Sequence, residues 1–198
     1  MLIMEKFNPE KIIGEKIGEG AEKIVYRHKH DKEKVVGVFH KKYYTKETVR
    51  QIKSRFYLTK LLHILYPKNF PDMHLAASDP QMVIVDYVEG KPVDFGDRGK
   101  IFAFNKKFSD EIRVDMDGMS GNYQKDQAGN LIYVDTLRAY EIMKIDGEKQ
   151  LCELFDRSEL EWMVDGLPEQ KKAKALFYLG RLNKLVKEEK KELKKSPK

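Results

Sequence analysis

Short apolar runs separated by polar turns dominate the first forty residues of the chain. The runs cover residues 12–17, 24–27 and 35–39. A Gly-Glu-Gly turn at residues 18–20 separates the first two runs, and a polar cluster at 28–34 precedes the third. Apolar runs of this length with turn residues between them are typical of β-strands. The pattern therefore predicts an antiparallel sheet near the start of the chain.

The spacing of apolar residues changes to a helical period between residues 45 and 66. Apolar side chains line one side of such a helix, with Lys and Arg on the other side: Val49, Ile52, Phe56, Leu61, Leu62 and Leu65. This spacing predicts one long amphipathic helix that ends at Pro67. Residues 81–85, in which Gln81 precedes a continuous apolar run, predict a buried strand followed by a loop.

The second half of the chain predicts a hairpin and then helices. Residues 93–110 mix Phe with Gly and Lys and indicate no clear element. Residues 112–116 predict a short strand, and residues 123–135 predict a hairpin with its turn at Gly129. Residues 148–163 and 168–193 predict two helices, with the apolar stripe of the second ending before a basic tail that we expect to fray. Sheet first and helices afterwards indicate an α+β fold.

Composition is that of a globular protein with one sizeable domain or two small lobes. The chain has 198 residues, of which 41% are hydrophobic and 35% are charged. No apolar run approaches the ~20 residues of a membrane helix, and the first residues are charged too early for a signal peptide. The single cysteine, Cys152, has no partner for an internal disulfide. We therefore expect a cytoplasmic protein with no membrane partner.

The net charge of +6 is concentrated at the end of the chain. Residues 171–198 contain eleven Lys or Arg against three Glu, so the rest of the chain carries a slight negative charge. A basic nucleic-acid surface is therefore not indicated for the body of the protein. The basic tail leaves open an interaction with RNA or with an acidic partner.

Three polar residues have a spacing that suggests phosphoryl transfer. Asp117 is followed by Asn122 five positions later, and Asp135 follows thirteen positions after Asn122 at the end of an apolar run. A catalytic Asp, a metal-binding Asn and a second metal-binding Asp occur in this order in protein kinases. Asp-Gly and Gly-Asn are also ordinary turn formers, which is the alternative interpretation of the same residues.

Upstream residues could contact the phosphates of a nucleotide. Gly18 and Gly20 lie between two predicted strands, where glycines let backbone amides approach phosphate oxygens. Two glycines in a hairpin turn also occur for conformational reasons alone. A lysine is then expected near the end of the third strand, where Lys41 and Lys42 both lie. The aligned position is ambiguous among Phe39, His40 and Lys41, and a solvated lysine pair at a strand end is the alternative interpretation.

A nucleotide base and a lysine partner have weaker candidates. The loop after residues 81–85 could hydrogen-bond adenine through the backbone of Asp86 and Val88. The predicted helix has only Glu47 as an acidic residue, in its first turn, where it suits the helix dipole. Tyr57 or Leu58 occupies the position where a glutamate that pairs with the lysine is expected.

In this order, the glycine turn, third strand, helix, hinge, Asp-x4-Asn and final Asp resemble the protein-kinase-like superfamily over residues 12–137. The looser hinge and the absence of activation-segment motifs look more like small atypical members of the RIO type or the aminoglycoside-phosphotransferase type. The resemblance implies an N-lobe at 1–90 with an antiparallel sheet and one long helix, and an abbreviated, mainly helical C-lobe at 91–198. It also implies ATP and Mg²⁺ as cofactors.

The resemblance assigns expected roles to the residues above. Asp117 and Lys41 would be catalytic, Asn122 and Asp135 would bind the metal, and the function would be ATP-dependent phosphorylation of a hydroxyl acceptor, protein or small molecule. The missing helix glutamate leaves an alternative open: a weakly active or inactive kinase-like module that binds nucleotide, protein or RNA.

Overall fold

The computed structural model describes residues 11–43, 46–75 and 82–195, and it has an α+β architecture. Five antiparallel strands form the main sheet in the order β1-β2-β3-β5-β4. They are β1 (Ile13–Glu19), β2 (Lys23–His28), β3 (Lys34–Phe39), β4 (Met73–Leu75) and β5 (Met82–Asp86). The strands predicted from the first three apolar runs and from residues 82–85 are confirmed, while Gln81 lies outside the described residues.

The first long helix, α1 (Lys46–Leu65), packs against this sheet. Ile52 and Phe56 meet Phe39 and Val83 in a small core, so the predicted helix is confirmed apart from Thr45, which is not among the described residues. The side of α1 that the sequence predicts to be polar is also covered by other parts of the protein. Lys60 is buried and its Nζ lies 2.5 Å from Asp72 Oδ1, because the last helix of the chain packs along α1.

A second, three-stranded sheet contains the predicted hairpin. Its strands are β6 (Lys91–Pro92), β7 (Tyr123–Lys125) and β8 (Leu131–Tyr133), in that order. Gly129 takes a φ of +83° at the turn, where a side chain would be strained. The Asp126 carboxylate accepts a hydrogen bond from the backbone N–H of Asn130 at 2.8 Å. Turn residues therefore define this hairpin, as the sequence predicts.

A helix, α2 (Arg98–Ile112), occupies the region in which the sequence indicates no clear element. The predicted strand at 112–116 is wrong, because Ile112 is the last residue of α2 and Arg113 ends the helix with a left-handed φ of 52°. Val114 and Met116 are buried and alternate with exposed neighbours. The period of two is therefore real, but it belongs to an extended connection without regular secondary structure.

A hairpin replaces the first part of the predicted helix at 148–163. Its strands are β9 (Tyr140–Ile145) and β10 (Glu148–Glu153), paired antiparallel. Asp146 and Gly147 both have positive φ, 52° and 82°, as the two central residues of a tight hairpin turn often do. The Asp-Gly pair is thus the signal that overrides helix propensity, and helix α3 covers only Arg157–Asp165.

The last helix, α4 (Glu169–Lys195), continues well into the basic tail, contrary to the expected fraying. Its buried residues are Ala175, Leu179, Leu182, Val186 and Glu189. The four apolar residues among them join a large core that also contains residues from the end of α1, from α2, from the second sheet and from α3. A search of the described residues for a helix long and apolar enough to cross a membrane finds none.

Candidate functional site

The glycine turn connects β1 to β2 and is fixed by backbone contacts. The N–H of Gly20 donates to the carbonyl of Lys23 at 2.9 Å. From the end of β3, His40 donates its backbone N–H to the carbonyl of Glu22 at 2.9 Å, and its Nε2 lies 3.1 Å from the carbonyl oxygen of Gly20. The space beside the Cα atom of Gly18 is open. The turn therefore has a defined backbone and an accessible face.

The second sheet places Asn122 and Asp135 at one end of the β7–β8 hairpin. Tyr123 pairs with Tyr133 in the ladder, and the backbone N–H of Val134 donates to the carbonyl of Asn122 at 2.8 Å. The main chains of Asn122 and Val134 are thus adjacent, and Asp135 is the next residue. The hairpin brings together two residues that are thirteen positions apart in the sequence.

Asp135 forms an ion pair with Lys23, the first residue of β2. The ammonium group of Lys23 contacts Oδ1 of Asp135, and the same oxygen accepts a hydrogen bond from the backbone N–H of Thr136 at 2.7 Å. Burial raises the pKa of Asp135, but the charge and hydrogen bond of Lys23 lower it by more, so the carboxyl titrates below its usual range. This pair joins the glycine turn to the hairpin.

Asp117 lies in the exposed connection that precedes Asn122. Its Oδ1 accepts a hydrogen bond from the backbone N–H of Met119 at 3.0 Å. The hydroxyl of Tyr123 lies 3.0 Å from the carbonyl oxygen of Asp117 and 2.6 Å from Oδ1 of Asn105 on α2. Burial raises the pKa of Tyr123 to about 12, so this hydroxyl keeps its proton and donates. Tyr123 therefore anchors the loop and leaves the Asp117 carboxylate exposed.

Helix α1 contributes an arginine to this region. Arg55 makes two hydrogen bonds to the carboxylate of Glu22, at 2.5 and 3.2 Å. Arg138, three residues after Asp135, lies 3.7 Å from the same carboxylate. Burial raises the pKa of Glu22, but the hydrogen bond and charge of Arg55 together with the charge of Arg138 lower it by more, so the carboxyl titrates below its usual range. Glu22, Arg55 and Arg138 also line a cavity of about 270 Å³ between α1 and the segment after Asp135.

The remaining predicted residues lie elsewhere on the N-terminal half. Lys41 is exposed in a short 3₁₀ turn (Lys41–Tyr43) just after β3. Asp86 ends β5, and its backbone N–H donates to the carbonyl of Asp72 at 2.9 Å. Within the described part of the chain, the backbone N–H and C=O of Val88 make no hydrogen bond.

The site offers few ligands to a metal ion. Among residues 11–43, 46–75 and 82–195 there is no group of three or more His, Cys, Asp or Glu side chains that could hold one. Asn122 and Asp135 provide an amide oxygen and a carboxylate at one end of the hairpin. Mg²⁺ is commonly bound by one or two protein side chains together with phosphate oxygens and water, and an amide oxygen and a carboxylate are the types of ligand that it takes.

Sequence reasoning missed Lys23, Glu22 and Arg55. One signal for Lys23 was visible, since a lysine stands where the kinase glycine loop has its third glycine. The ion pairs of Glu22 and Arg55 span 33 positions and have no local signature.

Comparison with known proteins adds no assignment to this geometry. No protein-family model matches the chain, and a search of curated proteins also finds no match.

Proposed function

We propose that the protein is an ATP- and Mg²⁺-dependent phosphotransferase with a two-lobed, protein-kinase-like arrangement. The observation that carries the proposal is the ion pair between Lys23 and Asp135. It links a glycine turn at the edge of an antiparallel sheet to the end of the hairpin that holds Asn122. Phosphoryl transfer depends mainly on positioning and on stabilising charge, and this junction offers backbone amides, a cation and two metal ligands.

In this proposal, Asn122 and Asp135 hold Mg²⁺ against the phosphates. Oδ1 of Asp135 accepts from Thr136 and contacts Lys23, while Oδ2 has no hydrogen-bond partner among the described residues. The Asp135 side chain is 35% exposed. One carboxylate oxygen is therefore oriented by the protein, and the other is available to a metal ion, which supplies charge stabilisation when it is bound.

Asp117 is the proposed general base. The oxygen of the acceptor hydroxyl forms a bond to the γ-phosphorus, the bond from that phosphorus to the β–γ bridging oxygen breaks, and ADP leaves. The hydroxyl proton passes to the carboxylate of Asp117. Support comes from the loop around Asp117, in which Tyr123 and Asn105 hold the backbone while the carboxylate remains exposed.

The adenine base is assigned to the segment after β5. The two backbone groups of Val88 are the proposed partners, because they lack partners in the described structure and follow a buried strand. The N–H of Asp86 is occupied by Asp72, so only its carbonyl remains for a ligand.

The test is thermal stability with and without Mg²⁺-ATP, together with ADP formation against a panel of hydroxyl acceptors. A ligand present at a hundred times its Kd should raise the Tm of a chain of this size by about 5–10 °C. Asp135→Asn should lose the part of the shift that requires Mg²⁺. Asp117→Asn should keep the shift and lose ~10²–10⁴-fold in turnover.

Asp115→Asn is the matched control, because Asp115 is an exposed carboxylate two residues from Asp117. It should leave both the Tm shift and turnover unchanged. Absence of any Mg²⁺-ATP shift in the unaltered protein would overturn the proposal.

A nucleotide-binding protein without transfer is a second candidate, and one observation favours it. Helix α1 contributes the cation Arg55 to Glu22 at the glycine turn, and it has Tyr57 or Leu58 at the position where the resemblance predicts a glutamate. A Tm shift with Mg²⁺-ATP that is insensitive to Asp117→Asn, with no ADP formed, would favour this candidate.

A further inference from the structure

Lys23 has an unusual place for a residue of a glycine turn. It is the first residue of β2 and the cross-strand partner of Phe39 in β3. Its aliphatic stem crosses Gly37, since a Cβ atom added at Gly37 would lie 3.4 Å from Cδ of Lys23. Its side chain is only 18% exposed, and the ammonium group ends on Asp135. The absence of a side chain at Gly37 provides room for this path.

The last residue of β3 has an apolar side chain rather than a cation. Phe39 is buried in the core with Ile52 and Phe56, and Lys41 lies beyond the strand and is exposed. Directly opposed residues on neighbouring strands have Cβ atoms about 5 Å apart and lie on the same face of the sheet. A lysine at position 23 therefore starts close to the place from which a lysine at position 39 would extend.

From these contacts we infer that Lys23 is the residue that binds the nucleotide phosphates, reaching them from β2 rather than from β3. The inference rests on the proposed function. Without nucleotide, the ammonium group is held on Oδ1 of Asp135. With Mg²⁺-ATP, the carboxylate binds the metal and the ammonium group, which has three donor hydrogens, contacts phosphate oxygens.

The position of Lys23 is fixed by its neighbours. The carbonyl of Lys23 accepts from Gly20, and the carbonyl of Glu22 accepts from His40. The Glu22 side chain is held by Arg55 of α1. The start of β2 is thereby tied to β3 and to α1, so the role of the lysine–glutamate pair is divided between two adjacent residues. Lys23 supplies the cation, and Glu22 connects the strand to the helix.

The test compares Lys23→Met with Lys41→Met, using ATP and adenosine as ligands in EDTA and in Mg²⁺. Methionine keeps an unbranched stem over Gly37 and removes only the charge. Loss of a charged hydrogen bond should weaken ATP binding by Lys23→Met ~10–100-fold in both conditions. Its affinity for adenosine, which has no phosphates, should stay within about twofold of the unaltered protein, and Lys41→Met should match the unaltered protein with both ligands.

A second measurement uses the unaltered protein and does not depend on the folding of a variant. Mg²⁺-ATP should protect Lys23 from an amine-reactive acylating reagent, as read by peptide mass spectrometry, while Lys41 remains equally reactive. Equal loss of ATP and adenosine affinity in Lys23→Met would indicate a structural role and overturn the inference, as would unchanged ATP binding or a lack of protection. If the unaltered protein binds no ATP at all, it is the proposed function that fails.

Discussion

Two ion pairs hold this molecule together at different places, and they differ in how deeply the carboxylate is buried. Lys23 and Asp135 meet between the glycine turn and the β7–β8 hairpin, with 35% of the Asp135 side chain exposed. Arg50 of α1 and Glu189 of α4 meet where those helices pack, with only 3% of the Glu189 side chain exposed. A partly exposed carboxylate can exchange its cation for a ligand, whereas a fully buried carboxylate cannot.

This difference in exposure also distinguishes the expected roles of the two ion pairs, one in ligand binding and the other in folding stability. Removing one partner of a buried pair leaves an uncompensated charge in a medium of low dielectric, which is costly. Removing one partner of a half-exposed pair leaves a carboxylate that water or a metal ion can approach. We therefore expect the Arg50–Glu189 pair to matter for stability and the Lys23–Asp135 pair to matter for ligands.

The largest effect on stability is expected from Arg50→Met. It leaves the buried carboxylate of Glu189 without its partner, so the free energy of unfolding should fall by about 3 kcal/mol. Urea unfolding at pH 7 measures the change. Lys23→Met is the matched control in the other pair, whose carboxylate is partly exposed, and it should cost less than Arg50→Met because water can reach the Asp135 carboxylate.

A larger loss of stability in Lys23→Met than in Arg50→Met would contradict the comparison, because it would make Lys23–Asp135 the pair that matters for folding. The order of the two variants should be reversed for ATP affinity, which Lys23→Met should lower. Arg50→Met should bind ATP like the unaltered protein at a temperature where both are folded.

A smaller effect, one that depends on pH, is expected from Asp97→Asn. Asp97 precedes α2 and is buried, and it accepts a hydrogen bond from Lys125 of β7 at 2.6 Å, so it ties the hairpin to that helix. The hydrogen bond from Lys125 lowers the pKa of Asp97 from 3.8 to about 2. A lowered pKa stabilises the folded state above the unfolded pKa and loses that contribution as the pH falls.

Unfolding free energies of the unaltered protein and Asp97→Asn should therefore differ most above pH 4. The difference should shrink as the pH falls from about 3.8 toward 2, where the carboxyl of the folded protein becomes protonated. Urea titrations at several pH values in this range measure it. A difference that is constant over the whole range would mean that the charge of Asp97 contributes nothing and that the substitution acts by packing.

The sequence predicts those parts of the fold that have local signals. Glycines mark the turn at Gly18 and Gly20 and the β7–β8 turn at Gly129, and the strands around these turns are confirmed. Residues 93–110 have no such turn signal, because Gly96 and Gly99 fall at the start of a helix rather than in a loop between strands. At residues 148–153, local helical periodicity was misleading, since the turn at Asp146 and Gly147 pairs this segment with β9.

The candidate site divides in the same way. The spacing of Asn122 and Asp135 was visible because a hairpin of fixed length joins them. The ion pair of Lys23 and Asp135 spans 112 positions and depends on how two sheets meet. No periodicity within one element encodes that contact. The sequence therefore predicts the lysine at the end of β3, where Lys41 is exposed, and not on the neighbouring strand.

The smallest effect is expected from Gly37→Ala, which changes the surroundings of the Lys23–Asp135 pair and leaves both charges in place. The new Cβ atom would lie 3.1 Å from Cγ2 of Val83 and 3.4 Å from Cδ of Lys23, so one neighbour must move by a few tenths of an ångström. Overpacking and the lower entropy of the unfolded chain act in opposite directions, and the net loss of stability should be less than about 1 kcal/mol.

ATP affinity is the sharper measurement for Gly37→Ala. A displaced Lys23 stem should weaken ATP binding by less than about tenfold, which is less than the effect of Lys23→Met. Gly180→Ala is the control, since Gly180 is exposed on α4 with open space around it, and it should not change ATP binding. If Gly37 acts through Lys23, the two substitutions are not additive, and adding Gly37→Ala to Lys23→Met should weaken ATP binding no further. Full additivity would mean that Gly37 affects ATP affinity independently of Lys23.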